Sequence, residues 1–140
     1  PGVNILDNYD YTTYWGKIRA ANGHPEPYTI PYFQIDNEPM NHGLTAVQYA
    51  EIVNAYGSQL RKIAPNSKIV ACGQKRSNDM AWSQTVIELA GKNFDILGCH
   101  NYEYENDNFQ SGLQRINNYL VDLRDYIQAS DYPHIKLAIL

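Results

Sequence analysis

The sequence has few cysteines, no long apolar run and no basic cluster, and each shortage excludes a class of protein. Its two cysteines, Cys72 and Cys99, lie in apolar strand-like runs, so buried free thiols are expected rather than a disulfide framework. No apolar run approaches the roughly 18 residues that a membrane span needs, so no membrane partner is expected. The 11 basic residues are scattered and the net charge is −4, which argues against a nucleic-acid partner.

Nucleotide and metal sites also lack their usual sequence patterns. No glycine-rich phosphate loop follows an apolar run, and the four histidines never show metal-ligand spacing, so we expect neither a cofactor nor a metal. The opening segment, PGVNILDNYDYTTYWG, does not have the charged-then-apolar layout of a signal peptide. A targeting segment is therefore absent or lies outside this chain, and cytoplasmic and secreted locations both stay open.

The sequence does have a regular alternation of two kinds of segment. Four short runs rich in Ile, Val, Leu and Phe are typical of strands buried on both faces of a parallel sheet: residues 30–35, 67–73, 94–100 and 135–140. Between them, apolar residues recur at helical spacing over residues 45–63, 79–90 and 109–128. At 140 residues the chain has the size of one domain, and this alternation predicts an α/β fold.

The apolar stripes also predict which helical residues face the core. Tyr56 lies on the stripe of the first predicted helix, Leu89 on that of the second and Leu113 on that of the third. Trp82, in the second helix, is expected to pack in the core.

Polar side chains follow the first three predicted strands at their carboxyl ends. The segments are DNEPMNH, GQKRSND and HNYEYEND, at residues 36–42, 73–79 and 100–107. Enzymes built on a (β/α)₈ barrel form their sites from these ends, and four strands are half of such a barrel. The expected fold is therefore a segment of a TIM barrel. Because a buried parallel edge would otherwise stay unpaired, we expect a longer polypeptide or completion by a second copy.

Glu38 is the candidate catalytic residue. Retaining glycoside hydrolysis needs two carboxyl groups roughly 5–5.5 Å apart, one as acid/base and one as nucleophile. A carboxyl at a strand end, inside a cleft and beside a second carboxylate, can keep the proton that an acid needs. Asn37 would then offer its amide to the sugar hydroxyl next to the reacting carbon. Asp36 is expected to face away from Glu38, because successive strand side chains alternate.

The segment RAANGHPEPYTIPYFQIDNEP, at residues 19–39, resembles the α-L-arabinofuranosidases of glycoside hydrolase family 51. Its NEP also resembles the acid/base signature that ends the fourth strand in the larger clan of barrel glycosidases. The segment CHNYEYE, at residues 99–105, is similar to the His-x-Tyr ending of the family's sixth strand. The resemblance implies that residues 1–140 are the central part of one catalytic barrel, about strands four to seven. The first strands and the end of the barrel would be missing from this chain.

The resemblance also implies roles for individual residues. Glu38 matches the acid/base and Asn37 the residue that binds a substrate hydroxyl. His100 matches a residue that lines the cleft, and Tyr102 matches a tyrosine that hydrogen-bonds the nucleophile. His42 lies just beyond the acid, where it would line a subsite.

Two features depart from the family pattern. Family members commonly read Glu-Ile-Gly-Asn-Glu where residues 34–38 of this chain read QIDNE. The family's nucleophile is a glutamate just after the seventh strand, and it is expected here just after Leu140. Glu103 and Glu105 are the alternatives within the chain. Without the nucleophile, the segment alone is expected to be inactive.

The activity implied by the resemblance is the release of L-arabinofuranose from arabinan or arabinoxylan by a two-carboxylate double displacement. The partner would be a plant cell-wall polysaccharide or oligosaccharide. Two alternatives stay open, an endo-β-glucanase or xylanase on the same barrel and a noncatalytic half-barrel. Some family members are hexamers, so a homo-oligomer is also left open.

Overall fold

The described part of the chain folds as a parallel sheet with helices between its strands. The computed structural model describes residues 14–73, 80–100 and 108–140. The strands pair in the order β1-β2-β3-β4, and they are β1 Tyr32–Ile35, β2 Lys68–Cys72, β3 Ile96–Cys99 and β4 Lys136–Ile139. The helices are α1 Tyr14–Ala21, α2 Ala46–Ile63, α3 Ala81–Ala90 and α4 Phe109–Ala129. Two short 3₁₀ turns cover Pro39–His42 and Gly91–Asn93.

The predicted α/β alternation is confirmed. All four strands and the helices α2, α3 and α4 lie within or close to their expected ranges, whereas the apolar pattern does not predict α1. Because sheet order follows chain order, every strand lies beside the one that precedes it in sequence. None of the helices in the described ranges is long and apolar enough to cross a membrane.

The sequence itself sets both ends of α2. The Thr45 hydroxyl accepts a hydrogen bond from the Gln48 amide, and the Gln48 side chain accepts one from the Thr45 amide, which forms a capping box. At the other end Pro65 disfavours a helical conformation for Ala64, whose φ is −133°. The helix therefore begins and ends where its local sequence directs.

The prediction that Tyr56, Leu89 and Leu113 face the core is wrong. They are 61%, 48% and 50% exposed, respectively. On α2 it is Gly57 that faces inward, and a Cβ added there would lie 2.5 Å from the Asn93 carbonyl oxygen. Val53 and Leu60 of the predicted stripe are buried, so the difference is confined to the turn where Gly57 contacts Asn93 and Tyr56 lies outside.

The core lies between the sheet and α2, α3 and α4. Trp82 packs as predicted, with its ring stacked on that of Tyr49 at a centroid distance of 5.9 Å. Both cysteines are free and buried, as predicted. Burial raises the pKa of the Cys99 thiol to about 12, so this side chain behaves as a small apolar group.

Asp95, just before β3, connects two strands at the amino edge of the sheet. Its carboxylate accepts a hydrogen bond from the Ile69 amide at 2.8 Å and pairs with Arg61 at 3.0 Å and Lys68 at 3.7 Å. Burial acts to raise the pKa of Asp95, but the Ile69 amide and the Arg61 guanidinium outweigh it. The pKa therefore lies below its usual value.

We predict that the free energy of unfolding depends on the ionisation of Asp95. Because its pKa is lower in the folded protein, its stabilisation is complete above the unfolded pKa of about 3.9 and is lost as pH falls through the folded value. Asp95→Asn should cost roughly 1 kcal/mol at pH 7 and flatten the fall in Tm below about pH 4. Calorimetry of the complete protein between about pH 7 and pH 2 measures both effects.

Asp122→Asn is the matched control, because Asp122 lies on an exposed part of α4. An equal loss of stability in both variants would contradict the role assigned to Asp95.

Candidate active site

Glu38 lies just past the carboxyl end of β1, and both oxygens of its carboxylate meet other side chains. Nδ1 of His100, the residue after β3, lies 3.2 Å from Oε1. Nδ2 of Asn41 donates a hydrogen bond to Oε2 at 2.5 Å. The Glu38 side chain is 15% exposed and that of His100 is 6% exposed. The carboxylate is thus mostly enclosed but still open to a molecule that arrives from solvent.

The contact between Glu38 and His100 spans the end of β2, because β1 and β3 are not neighbours in the sheet. Cys72, the last residue of β2, lies beneath the span. Burial raises the pKa of the Cys72 thiol to about 11, and a hydrogen bond from the Glu38 backbone amide acts in the opposite direction. The backbone of Glu38 therefore lies close to the end of β2.

Two non-glycine residues in the left-handed region direct the chain at this edge. Asp36 has φ 60° and Glu38 has φ 48°, a region that L-residues rarely adopt. The Asp36 carboxylate accepts a hydrogen bond from the Asn37 amide at 2.6 Å, a local contact that stabilises such a turn. Asp36 thus leaves the alternation of the strand. The family pattern has a glycine here, the residue that adopts positive φ without steric cost.

The structure brings together some of the residues predicted for the site. Glu38 and His100 are in contact. Asn37 lies between the two left-handed residues and is exposed. His42 ends the 3₁₀ turn that follows Glu38 and is also exposed. Tyr102 lies outside the described residues.

The end of β4 lies at the same edge of the sheet. Cys99 in β3 pairs with Ile139 in β4, and the Leu140 amide donates to the Cys99 carbonyl at 3.2 Å. Leu140 is therefore level with His100. The alternative second carboxylates, Glu103 and Glu105, lie outside the described residues.

Asn41 is a site residue that the sequence reasoning did not select. Pro39 occupies the first turn of the 3₁₀ helix and Glu38 its N-cap position, so Asn41 follows Glu38 by one turn. This spacing returns the Asn41 amide to the Glu38 carboxylate. The pattern Glu-Pro-x-Asn was the available signal, because proline at the first position of a helix fixes where the turn begins.

Arg19 gives a structural reason for the segment before β1. This arginine is buried, with 6% of its surface exposed. Its guanidinium donates to the carbonyl oxygens of His24 and Pro25, each at 2.9 Å. Arg19 therefore fixes the backbone of the loop at residues 22–25, which precedes β1 in the chain.

The chemistry that this arrangement supports is proton transfer at one enclosed carboxyl group. Glu38 can hold or release a proton, while His100 and Asn41 keep both of its oxygens in place. Within the described ranges, no group of three or more His, Cys, Asp and Glu side chains could hold a metal ion.

Comparison with known proteins identifies the family. The family model of the α-L-arabinofuranosidase 1 domain matches residues 3–121. The chain belongs to this family. The resemblance to the arabinofuranosidases of glycoside hydrolase family 51 is thereby confirmed.

Three relatives show how this arabinofuranosidase-family chain compares with longer proteins. It is 27% identical to the intracellular exo-α-(1→5)-L-arabinofuranosidase 1 of Bacillus subtilis, over 72% of this chain and 22% of the relative. The arabinose complex of the Thermotoga maritima α-L-arabinofuranosidase matches with a TM-score of 0.81 and 26% identity, over 96% of this chain and 30% of that one. The family 51 α-L-arabinofuranosidase of Bifidobacterium longum shares the fold, with a TM-score of 0.82 and 21% identity over 96% and 30% of the two chains.

The chain thus spans less than a third of the length of these relatives. Its four-stranded sheet matches part of the family's TIM-barrel structures. The Bacillus and Thermotoga relatives are both named as α-L-arabinofuranosidases.

We predict that the left-handed turn tolerates Asp36→Gly but not Asp36→Ala. Alanine keeps the steric cost of positive φ and loses the hydrogen bond to the Asn37 amide, so it should cost about 1–2 kcal/mol of unfolding free energy. Glycine also loses that bond but adopts the conformation freely, so its cost should stay below about 0.5 kcal/mol. Urea unfolding of the complete protein measures the difference. Equal stability of the two variants would show that φ at position 36 is not a constraint.

Proposed function

We propose that the protein containing this chain is a retaining glycoside hydrolase that releases L-arabinofuranose from arabinan or arabinoxylan. The main support is the enclosed Glu38 carboxylate, which lies at the carboxyl edge of the sheet, 3.2 Å from Nδ1 of His100. The chain that carries it belongs to the α-L-arabinofuranosidase family. The Bacillus relative is named as an intracellular, exo-acting enzyme, which supports exo action inside the cell for this protein too.

Glu38 is proposed to act twice in the reaction. In the first step a carboxylate nucleophile forms an ester bond to the anomeric carbon while the bond to the leaving oxygen breaks, and Glu38 gives its proton to that oxygen. In the second step Glu38 takes a proton from water, the water oxygen attacks the anomeric carbon, and the ester breaks. The anomeric configuration is retained and both carboxyl groups return to their starting states.

The neighbours of Glu38 support this double role. Donors to a carboxylate favour its charged form, which Glu38 adopts after it has given its proton to the leaving group. Asn41 supplies such a donor to Oε2, and Nδ1 of His100 lies within hydrogen-bond distance of Oε1. Both contacts also fix the direction of the carboxylate toward the reacting bond.

The remaining site residues are assigned on position and family resemblance. Asn37, exposed beside Glu38, is proposed to donate its amide to the sugar hydroxyl next to the reacting carbon. His42, exposed at the end of the turn, is proposed to line a subsite. Tyr102 is proposed to hydrogen-bond the nucleophile. The nucleophile is proposed to follow Leu140, and this is supported by the position of Leu140 level with His100 at the edge that carries Glu38.

We predict that Glu38→Gln in the complete protein loses activity according to the leaving group. Proton transfer by a positioned side chain contributes about 10²–10⁴-fold, so kcat/KM on an arabino-oligosaccharide should fall by that factor. A dinitrophenyl arabinofuranoside needs less protonation to leave, so its glycosylation step should fall much less. Glu51→Gln, on an exposed part of α2, is the matched control.

Undiminished turnover of both substrates by Glu38→Gln would exclude Glu38 as the acid/base. Hydrolysis by the wild-type protein of glucan or xylan backbones alone would refute the sugar assignment. Absence of any hydrolysis would favour the noncatalytic half-barrel.

We predict that Asn41→Ala lowers the activity that depends on proton transfer. Without the donor at Oε2, the Glu38 carboxylate loses one of the two contacts that fix its direction. The value of kcat/KM on an arabino-oligosaccharide should fall roughly 10-fold, and that on dinitrophenyl arabinofuranoside should fall much less. Asn118→Ala on α4 is the control. Equal loss on both substrates would show that Asn41 does not position the acid.

A further inference from the structure

The Tyr49 hydroxyl lies between the ends of β1 and β2 and takes part in the hydrogen bonds that join them. The Lys68 amide donates to the Pro31 carbonyl, and this parallel pattern, continued in steps of two, would pair the Cys72 amide with the Ile35 carbonyl. Instead, the Cys72 amide donates to the Tyr49 hydroxyl at 2.7 Å, and that hydroxyl donates to the Ile35 carbonyl at 2.5 Å. The Tyr49 hydroxyl therefore replaces one direct hydrogen bond between β1 and β2 with two hydrogen bonds in series.

The two strand residues that Tyr49 joins are also those that flank Glu38. Ile35 directly precedes the left-handed Asp36, so the direction of its carbonyl sets where the turn departs. The Glu38 backbone amide acts on the Cys72 thiol, whose pKa it lowers against the larger effect of burial, so the two residues lie close together. A displacement of either residue would therefore be passed to Glu38 through one or two bonded contacts.

Tyr49 is itself held firmly. Its side chain comes from α2, and the residue is 0% exposed. Trp82 stacks on its ring, and the Trp82 indole donates to the Cys72 carbonyl at 3.4 Å. Burial raises the pKa of Tyr49 well above its usual value, so the hydroxyl keeps the proton that it donates.

We propose that Tyr49 is a positioning residue for the acid/base. Its hydroxyl separates the ends of β1 and β2 and fixes both, so that the turn at residues 36–38 crosses β2 and delivers the Glu38 carboxylate to His100. The inference rests on the proposed function, because it assumes that Glu38 is the proton donor. It adds Tyr49, a residue of α2, to the residues on which proton transfer by Glu38 depends.

Tyr49→Phe in the complete protein tests the proposal, because it removes the hydroxyl and keeps the stacked ring. Without the bridging oxygen, the Cys72 amide and the Ile35 carbonyl should approach each other and shift Glu38. The measured quantity is the ratio of kcat/KM on an arabino-oligosaccharide to that on dinitrophenyl arabinofuranoside. A shift of about 1 Å in a catalytic group can cost on the order of 100-fold, so we expect this ratio to fall roughly 10-fold or more.

The ratio separates positioning from folding, since a smaller folded fraction lowers both activities by the same factor and leaves the ratio unchanged. Tyr56→Phe is the matched control: it removes a hydroxyl from the same helix at a position that is 61% exposed, and it should keep the wild-type ratio. Trp82→Phe, which removes the indole donor to Cys72, should lower the ratio in the same direction by a smaller factor.

The outcomes distinguish the two proposals. If the wild-type protein hydrolyses neither arabinofuranoside, or if Glu38→Gln keeps the wild-type ratio, the proposed function fails. If Glu38→Gln lowers the ratio but Tyr49→Phe keeps it at the wild-type value, the proposed function stands and the positioning role of Tyr49 is overturned. A Tyr49→Phe ratio below that of Tyr56→Phe supports the positioning role.

Discussion

The parallel register of β1, β2 and β3 is the constraint on which the candidate site depends. It brings the carboxyl ends of the strands to one edge, so that Glu38 and His100, which are 62 residues apart in sequence, come within hydrogen-bond distance. At this separation no local structure could hold the two residues together, so their contact depends on the sheet. A slip of β1 by one residue would reverse the faces of Phe33 and Ile35, which are both buried, so the core and the site fix the same register.

Much of this architecture is readable from the sequence, for identifiable reasons. The continuous apolar runs of β2 and β3 correspond to strands that are buried at all but their first residue, as predicted, whereas β1 alternates exposed and buried residues and β4 is only partly buried. Helices such as α2 carry their own start and stop signals in Thr45, Gln48 and Pro65. Glu38 could be selected because it follows such a run directly and sits in a segment that resembles a glycosidase family. These signals are local, and a single sequence displays them fully.

The features that escaped prediction depend on tertiary contacts. Tyr49 and Tyr56 lie on nearly the same side of α2, yet one is fully buried and the other is exposed. The helical pattern cannot separate them, because the difference depends on what packs against each one. The left-handed φ of Asp36 is also hidden, since the residue follows a strand and has a β-carbon. Only the glycine of the family pattern hinted at it.

The Asp95 cluster lies at the opposite edge of the sheet from Glu38. A strand of four residues is roughly 13 Å long, so the two charged centres do not share neighbours. Substitutions among the ion pairs around Asp95 can therefore change the thermal stability of the fold while the contacts of Glu38 at the other edge stay as they are. A protein engineer can use the same separation to raise the melting temperature through the Asp95 cluster without changing the surroundings of Glu38.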